Sequence, residues 1–208
     1  WGVKTVSVWV QSSSPPPPPP HAPPGWTLVA YDTFPSASGW SGTTTQTSTC
    51  GSLGTVLGGF GLLGGSGHHV QKTYSLPSHG IVRTRVELIK IDSWDGEYAQ
   101  LWMDGSIVDR QLGHGTLGSQ ECGDSRPGGN WNEAQLSLDH TLQNHFTDTV
   151  TVKVDTTLDS EPTDESWGVK TVSVWVQSSS PPPPSPPLPA PPTSELLQLP
   201  RLAATMSS

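Results

Sequence analysis

Charge is scarce in this chain. Only 13% of its 208 residues are Asp, Glu, Lys or Arg, and ten basic residues face eighteen acidic ones. A net charge of −8 with no basic patch argues against nucleic acid as a partner, because phosphates are held by clustered Lys and Arg. The acidic balance suits a cation ligand or plain solubility. Long hydrophobic runs are also missing: no stretch approaches the ~18 apolar residues of a membrane helix, so no membrane span is expected. No window carries a convincing helical period. Cysteine is limited to Cys50 and Cys122, which would pair in an exported protein and stay free thiols in a cytosolic one. No signal-peptide pattern is visible, and the first residue is Trp, so the natural N-terminus is expected to lie elsewhere.

Catalytic signatures are absent as well. There is no Gly-x-Ser-x-Gly elbow, no phosphate loop and no paired zinc motif. His68 and His69 are adjacent and point to opposite faces of a strand; His21, His79, His114, His140 and His145 lack zinc spacing. All seven are read as surface or loop residues. Asp95 and Glu97 have the chemistry of a glycosidase pair but lie too close together and lack a second anchor. The chain is therefore expected not to be an enzyme.

What is abundant is Gly and Pro, 22 of each, together with Ser and Thr. That composition fits short strands joined by many turns. Removing the proline-rich ends leaves residues 26–176, about 150 residues, enough for one domain with a real core. Within it the hydrophobic period is two. IVRTRVEL (81–88) sets Val82, Thr84, Val86 and Leu88 on one face against Arg83, Arg85 and Glu87 on the other. DTVTVKVD (148–155) aligns Val150, Val152 and Val154. GEYAQLWMDG (96–105) alternates less cleanly and ends in an Asp-Gly turn. VLGGFGLLGGSG (56–67) reads as loop or irregular edge. Alternation rich in Val and Thr predicts half-buried strands. About eight of them imply an all-β, antiparallel two-sheet sandwich of jelly-roll or immunoglobulin-like type, flanked by polyproline II segments.

One segment occurs twice. WGVKTVSVWVQSSSPPPP at 1–18 returns unchanged at 167–184. The second copy places Val172, Val174 and Val176 on one face and Trp167, Val169 and Trp175 on the other, so the strand wants cover on both sides. The first copy carries the same groups as Trp1, Val3, Val6, Val8, Trp9 and Val10. An isolated strand of this kind leaves backbone groups and two Trp unpaired and needs an acceptor sheet. Two arrangements supply one. Residues 1–10 can complete the preceding domain of a covalent array with a period of 166 residues, or either copy can be donated to a neighbouring molecule. Both are head-to-tail, do not close, and give fibres, with copies of the chain as partners.

Each copy runs into proline: SSSPPPPPPHAPP at 12–24 and SSSPPPPSPPLPAPP at 178–192. Such runs fix φ, lack N–H donors and act as stiff spacers at about 3.1 Å per residue. A plain linker is one reading (11–25 and 177–193). The Ser-Pro-Pro-Pro-Pro pattern also resembles the extensin-like stretches of plant and green-algal wall and flagellar-surface glycoproteins. In those, prolines are hydroxylated and carry arabinose-rich O-glycans, and nearby serines carry galactose. The resemblance implies covalent O-glycans on Ser12, Ser13, Ser14, Pro15, Pro16, Pro17, Pro18, Pro19 and Pro20. In the second spacer it implies them on Ser178, Ser179, Ser180, Pro181, Pro182, Pro183, Pro184, Pro186 and Pro187. The absence of any Asn-x-Ser/Thr sequon agrees, since any sugar must then be O-linked. The tail 194–208 (SELLQLPRLAATMSS) offers Leu196, Leu197 and Leu199 as a short docking segment or is a disordered end.

Two further signatures, IDSWDGEYAQLWMDG (91–105) and DESWGVKTVSVWV (164–176), resemble in this order an extracellular β-sandwich module of ciliate, algal and other protist surface proteins. Residues 70–80, 122–124, Asp139 and His140 fall at its intermediate landmarks. The module implies a jelly-roll fold and an extracellular, wall or flagellar location. It has no defined activity to transfer. The signatures hold five acids: Asp92, Asp95 and Glu97 on a turn, and Asp164 and Glu165 before the last strand. They either cap turns or converge hard oxygens on Ca²⁺. Nine Trp are many for this length; Trp94, Trp102, Trp131, Trp167 and Trp175 are either core packing or sugar-stacking platforms. The sequence thus predicts a structural fibre subunit with glycosylated spacers. The alternative is a Ca²⁺-assisted adhesin with carbohydrate as partner.

Overall fold

The computed structural model describes residues 18–19, 21–128 and 130–178. The first strand copy (Trp1, Val3, Val6, Val8, Trp9, Val10), most of both spacers and the tail lie outside the described residues. Eleven strands follow in chain order. They are β1 (Thr27–Thr33), β2 (Ser41–Gly42), β3 (Thr47–Cys50), β4 (Gly54–Gly58), β5 (His69–Ser75), β6 (Ile81–Asp92), β7 (Tyr98–Met103), β8 (Ser106–Leu112), β9 (Ala134–Gln143), β10 (Thr149–Thr156) and β11 (Glu165–Gln177). The fold is an all-β sandwich of two antiparallel sheets. One sheet runs β3-β4-β11-β6-β9, with β1 also pairing β11; the other runs β2-β5-β10-β7-β8.

The alternating faces pack as the period-two pattern dictates. Val82, Thr84, Val86 and Leu88 of β6 meet Val150, Val152 and Val154 of β10 across the sandwich, all fully buried. Among the described residues eleven strands stand where about eight were expected, and β2, β3 and β4 are short, at two, four and five residues. Of the glycine-rich stretch 56–67, residues 56–58 end β4, while 59–67 form a loop as expected. Val56 and Leu57 belong to β4, are fully buried and lie beside the central strand. Gly58 ends β4 at φ +84°, where a Cβ would sit 2.2 Å from the Leu63 side chain. The glycines therefore permit a tight return of the chain, not a loose edge.

β11 is the centre of the larger sheet. It pairs with β6 over its whole length, from Glu165↔Asp92 to Gln177↔Ile81. On its other edge it pairs first with β4 at Gly168 and Val169, then with β1 from Thr171 to Val176. A β-bulge at Lys170 separates the two halves. This bulge corrects the expected faces. Trp167 and Val169 do not oppose Val172, Val174 and Val176; all five enter the same core, because one extra residue reverses the phase of the alternation. Trp175 alone of the apolar set faces outward.

Candidate functional site

The outer face of the six-stranded sheet divides at the bulge. On the Glu165 side it is apolar: Val56, Ile89 and Ile91 are fully buried with Cys50, and Leu53 and Cys122 pack on them. Cys50 and Cys122 form a disulfide, which ties the 113–133 connection to β3. Gly168 must be glycine here, since a Cβ would come 2.6 Å from Val56 Cγ2.

On the Gln177 side the same face is a polar and aromatic groove of about 540 Å³. Its floor alternates from three strands: Tyr31 of β1, Ser173 and Trp175 of β11, and Arg83, Arg85 and Glu87 of β6. Pro18, His21 and Pro23, from the end of the first spacer, form part of its lining. Arg83 donates to both carboxylate oxygens of Asp139, at 2.8 and 2.5 Å, and its guanidinium lies 5.7 Å from the Trp175 ring. Trp175 keeps only 4% of its surface exposed, so it is a covered floor and not a bare stacking platform. Glu87 accepts from Arg85 Nε at 2.7 Å, Gln135 Nε2 at 2.7 Å and Ser137 Oγ at 3.2 Å. Gln135 Oε1 in turn accepts from Lys170 Nζ at 2.9 Å. Partial burial, then the nearby Glu87 charge, raise the Tyr31 phenol above its ordinary value.

The five acids do not form one site. Asp95, Glu97 and Glu165 bring one carboxylate oxygen each within 4.8 Å of one another. The β6–β7 turn carries the first two and the start of β11 the third. Trp94, buried between them, donates its indole N–H to the Ser166 carbonyl at 2.8 Å and so locks turn to strand. Glu97 Oε2 accepts from the Asp95 and Gly96 amides at 2.7 and 3.1 Å. Burial first, then Glu97 and Asp95, push the Glu165 carboxyl up to about 7. Asp164 stays outside this group and lies 3.3 Å from the Ser93 hydroxyl.

Asp92 turns the other way. Its backbone is left-handed at φ +67°, its side chain is fully buried, and Oδ1 accepts from the Asp124 amide at 3.0 Å. Glu133, equally buried, accepts from the Glu121 amide and from the Cys122 amide at 2.8 Å. These two acids therefore hold the disulfide loop by its backbone donors. Lys90 shares the pocket, fully buried, donating to the Asp92 carbonyl at 3.0 Å and to the Asn132 carbonyl. Burial lowers Lys90 to about 8 and raises Asp92 to about 7.

Sequence reasoning missed several of these residues. Lys90 continues the inward series 82, 84, 86, 88, so its inward position was legible as a charge out of pattern. Glu133 had no local signal. His79 and His145 are not isolated surface residues: His79 is 7% exposed and its Nε2 lies 2.7 Å from His145 Nδ1, while His145 Nε2 is 3.0 Å from Asp104. Of the Trp candidates, Trp94 and Trp167 are core. Trp102 lies under Lys153 at 3.7 Å and bonds Asp155, and Trp131 lies under Arg126 at 4.2 Å.

No family model and no curated protein sequence matches the chain. Several solved structures align with parts of the chain. The xylan-binding domain of a Paenibacillus barcinonensis xylanase is 7% identical over 76% of this chain and all of its own, with a TM-score of 0.46. A carbohydrate-binding module of Cellvibrio mixtus lichenase, solved with cellotriose, is 13% identical over 74% of this chain and all of its own, TM-score 0.40. The carbohydrate-binding and catalytic modules of a Clostridium thermocellum xylanase, solved with xylohexaose, match at 11% identity and TM-score 0.46, over 74% of this chain but only 29% of theirs.

Proposed function

We propose that this chain is a non-catalytic structural module of an extracellular glycoprotein fibre, linked head to tail through the strand it carries twice. One observation carries the reading. Residues 1–10 repeat Trp167–Val176, and that segment is the centre of the larger sheet, paired on both edges and buried on both faces. A second copy of such a strand carries the side chains that this slot takes. Its backbone bonds, at about 0.5–1.5 kcal/mol net each, and its buried Val and Trp would make the joint long-lived. A covalent array with a 166-residue period houses every copy.

The attachment points shape the fibre. Thr27 pairs with Val176, so β1 begins and β11 ends at one pole, and both proline segments meet the domain there. In an array the sandwiches then hang beside a rod of successive spacers. Each fifteen-residue spacer, 11–25, reaches about 46 Å in polyproline II. O-glycans on the Ser-Pro runs would coat that rod.

The test is electron microscopy of the natural material together with the intact mass of its chain. Filaments built from chains several times 22 kDa in polypeptide mass support the array, and filaments of single 22 kDa chains support strand donation. Monodisperse particles overturn the fibre. A second reading, carbohydrate binding, rests on the groove, whose guanidinium, carboxylate, amide and hydroxyl groups are the planar and hydroxyl partners that sugars use. Saturable glycan binding that Arg85→Ala abolishes would favour it.

A further inference from the structure

We propose that Asp95, Glu97 and Glu165 together bind a divalent cation, Ca²⁺, which clasps the β6–β7 turn to the start of the central strand. The geometry fits a shared ion: two oxygens at about 2.4 Å from one Ca²⁺ stand at most about 4.8 Å apart, and these three carboxylates meet within 4.8 Å. A second observation points to a ligand. Glu165 is 96% buried by its 4% exposure, and its Oε2 has no hydrogen-bond partner. An orphaned, buried carboxylate oxygen is costly unless something positive reaches it.

The charged groups that act on Glu165 are negative, and a backbone hydrogen bond at Ser160 opposes them. Glu97, Asp95 and Asp159 all act on Glu165 with the same sign. All three candidate ligands are carboxylate oxygens, and none is His or Cys, which selects a hard cation over zinc or copper. Trp94 makes the site rigid, since its indole bond to Ser166 fixes the turn against β11. Only three of the five acids take part; Asp92 and Asp164 are engaged elsewhere. The cation would thus stabilise the end of β11 that lies away from the spacers.

The experiment is calorimetric titration of the full chain with CaCl2, paired with melting midpoints in 10 mM CaCl2, 10 mM MgCl2 and EDTA. Saturable binding of one Ca²⁺ per chain, with Kd at or below about 1 mM as in extracellular modules, is expected. The midpoint should rise by about 3–6 °C in CaCl2 and less in MgCl2. Asp95→Asn, at an exposed turn position that leaves the fold intact, should weaken binding at least tenfold. Glu165→Gln should abolish the Ca²⁺ shift and raise the midpoint in EDTA, because it removes one of the clustered charges. Folded wild-type chain with no saturable binding below about 10 mM, an equal response to MgCl2, or unchanged binding in Asp95→Asn would each overturn the proposal.

Discussion

The two halves of β11 share one strand and one sheet, yet their outer faces have opposite characters. From Glu165 to Val169 the outer face is dry, sealed by Val56, Ile89, Ile91 and the disulfide. From Thr171 to Gln177 it is a groove of charged and hydroxyl groups over one covered indole. The difference arises from the neighbours on either side of the bulge. Before Lys170 the flanking strand is β4, which brings an apolar loop with it; after Lys170 it is β1, which brings Tyr31 and the proline segment. A strand that must be covered on both faces has thus been covered in two ways, by packing at one end and by a salt-bridged polar layer at the other.

The comparison breaks most completely at the bulge itself. Deleting Lys170 and Thr171 together should leave no stable domain, because Val172 would then follow Val169 directly and regular alternation would turn either the Trp167–Val169 pair or the Val172–Val176 set out of the core, whereas deleting Lys170 alone removes the extra residue and keeps both in phase. Loss of the cooperative urea transition would check this; a transition close to the wild type would mean that the bulge is adaptable. Next in size, Trp167→Ala should cost about 3–5 kcal/mol in urea unfolding, the range for a large aromatic removed from a closed core.

An intermediate effect should appear as a dependence on pH. Asp92 is held near 7, well above its ordinary value, so the folded state favours its protonated form. Its stabilising contribution is complete below about pH 4 and is lost as pH rises through about 7. Asp92→Asn keeps an acceptor for the Asp124 amide and tolerates the left-handed backbone. The variant should gain on the wild type between pH 4 and 7, reaching about 1–4 kcal/mol above that range. A gap that shrinks as pH rises would mean that Lys90 holds Asp92 as an ion. Smallest, Trp175→Ala should cost about 1–2 kcal/mol, because water in the groove can fill the space and only the Arg83 contact and one face of packing are lost. Equal costs at Trp167 and Trp175 would erase the distinction between the two faces.

The sandwich was legible because alternation is local: residues 81–88 and 148–155 state which face each side chain takes whatever their partners. The bulge was not, since WGVKTVSVWV alternates plausibly in either phase and only pairing with β6 selects one. The acids show the same limit. Asp92 and Asp95 stand three residues apart, and sequence joined them in one loop. The left-handed turn at Asp92 sends them to different sites, one among Glu133 and Lys90, the other beside Glu165. The groove was half visible as the polar face of 81–88. Its other wall comes from β1 and the spacer, far away in the chain.

By itself, the sequence determined that the domain is all-β, that its alternating segments bury Val and Leu, and that one strand recurs with the start of its spacer, QSSSPPPP, unchanged. Each of these follows from residue type and spacing along a few positions. The tertiary structure alone decided that the recurring strand is the central one, that both spacers leave from one pole, and that three of five acids meet. Those facts depend on which strands pair and in what register, and that is settled by burial summed over the whole sandwich.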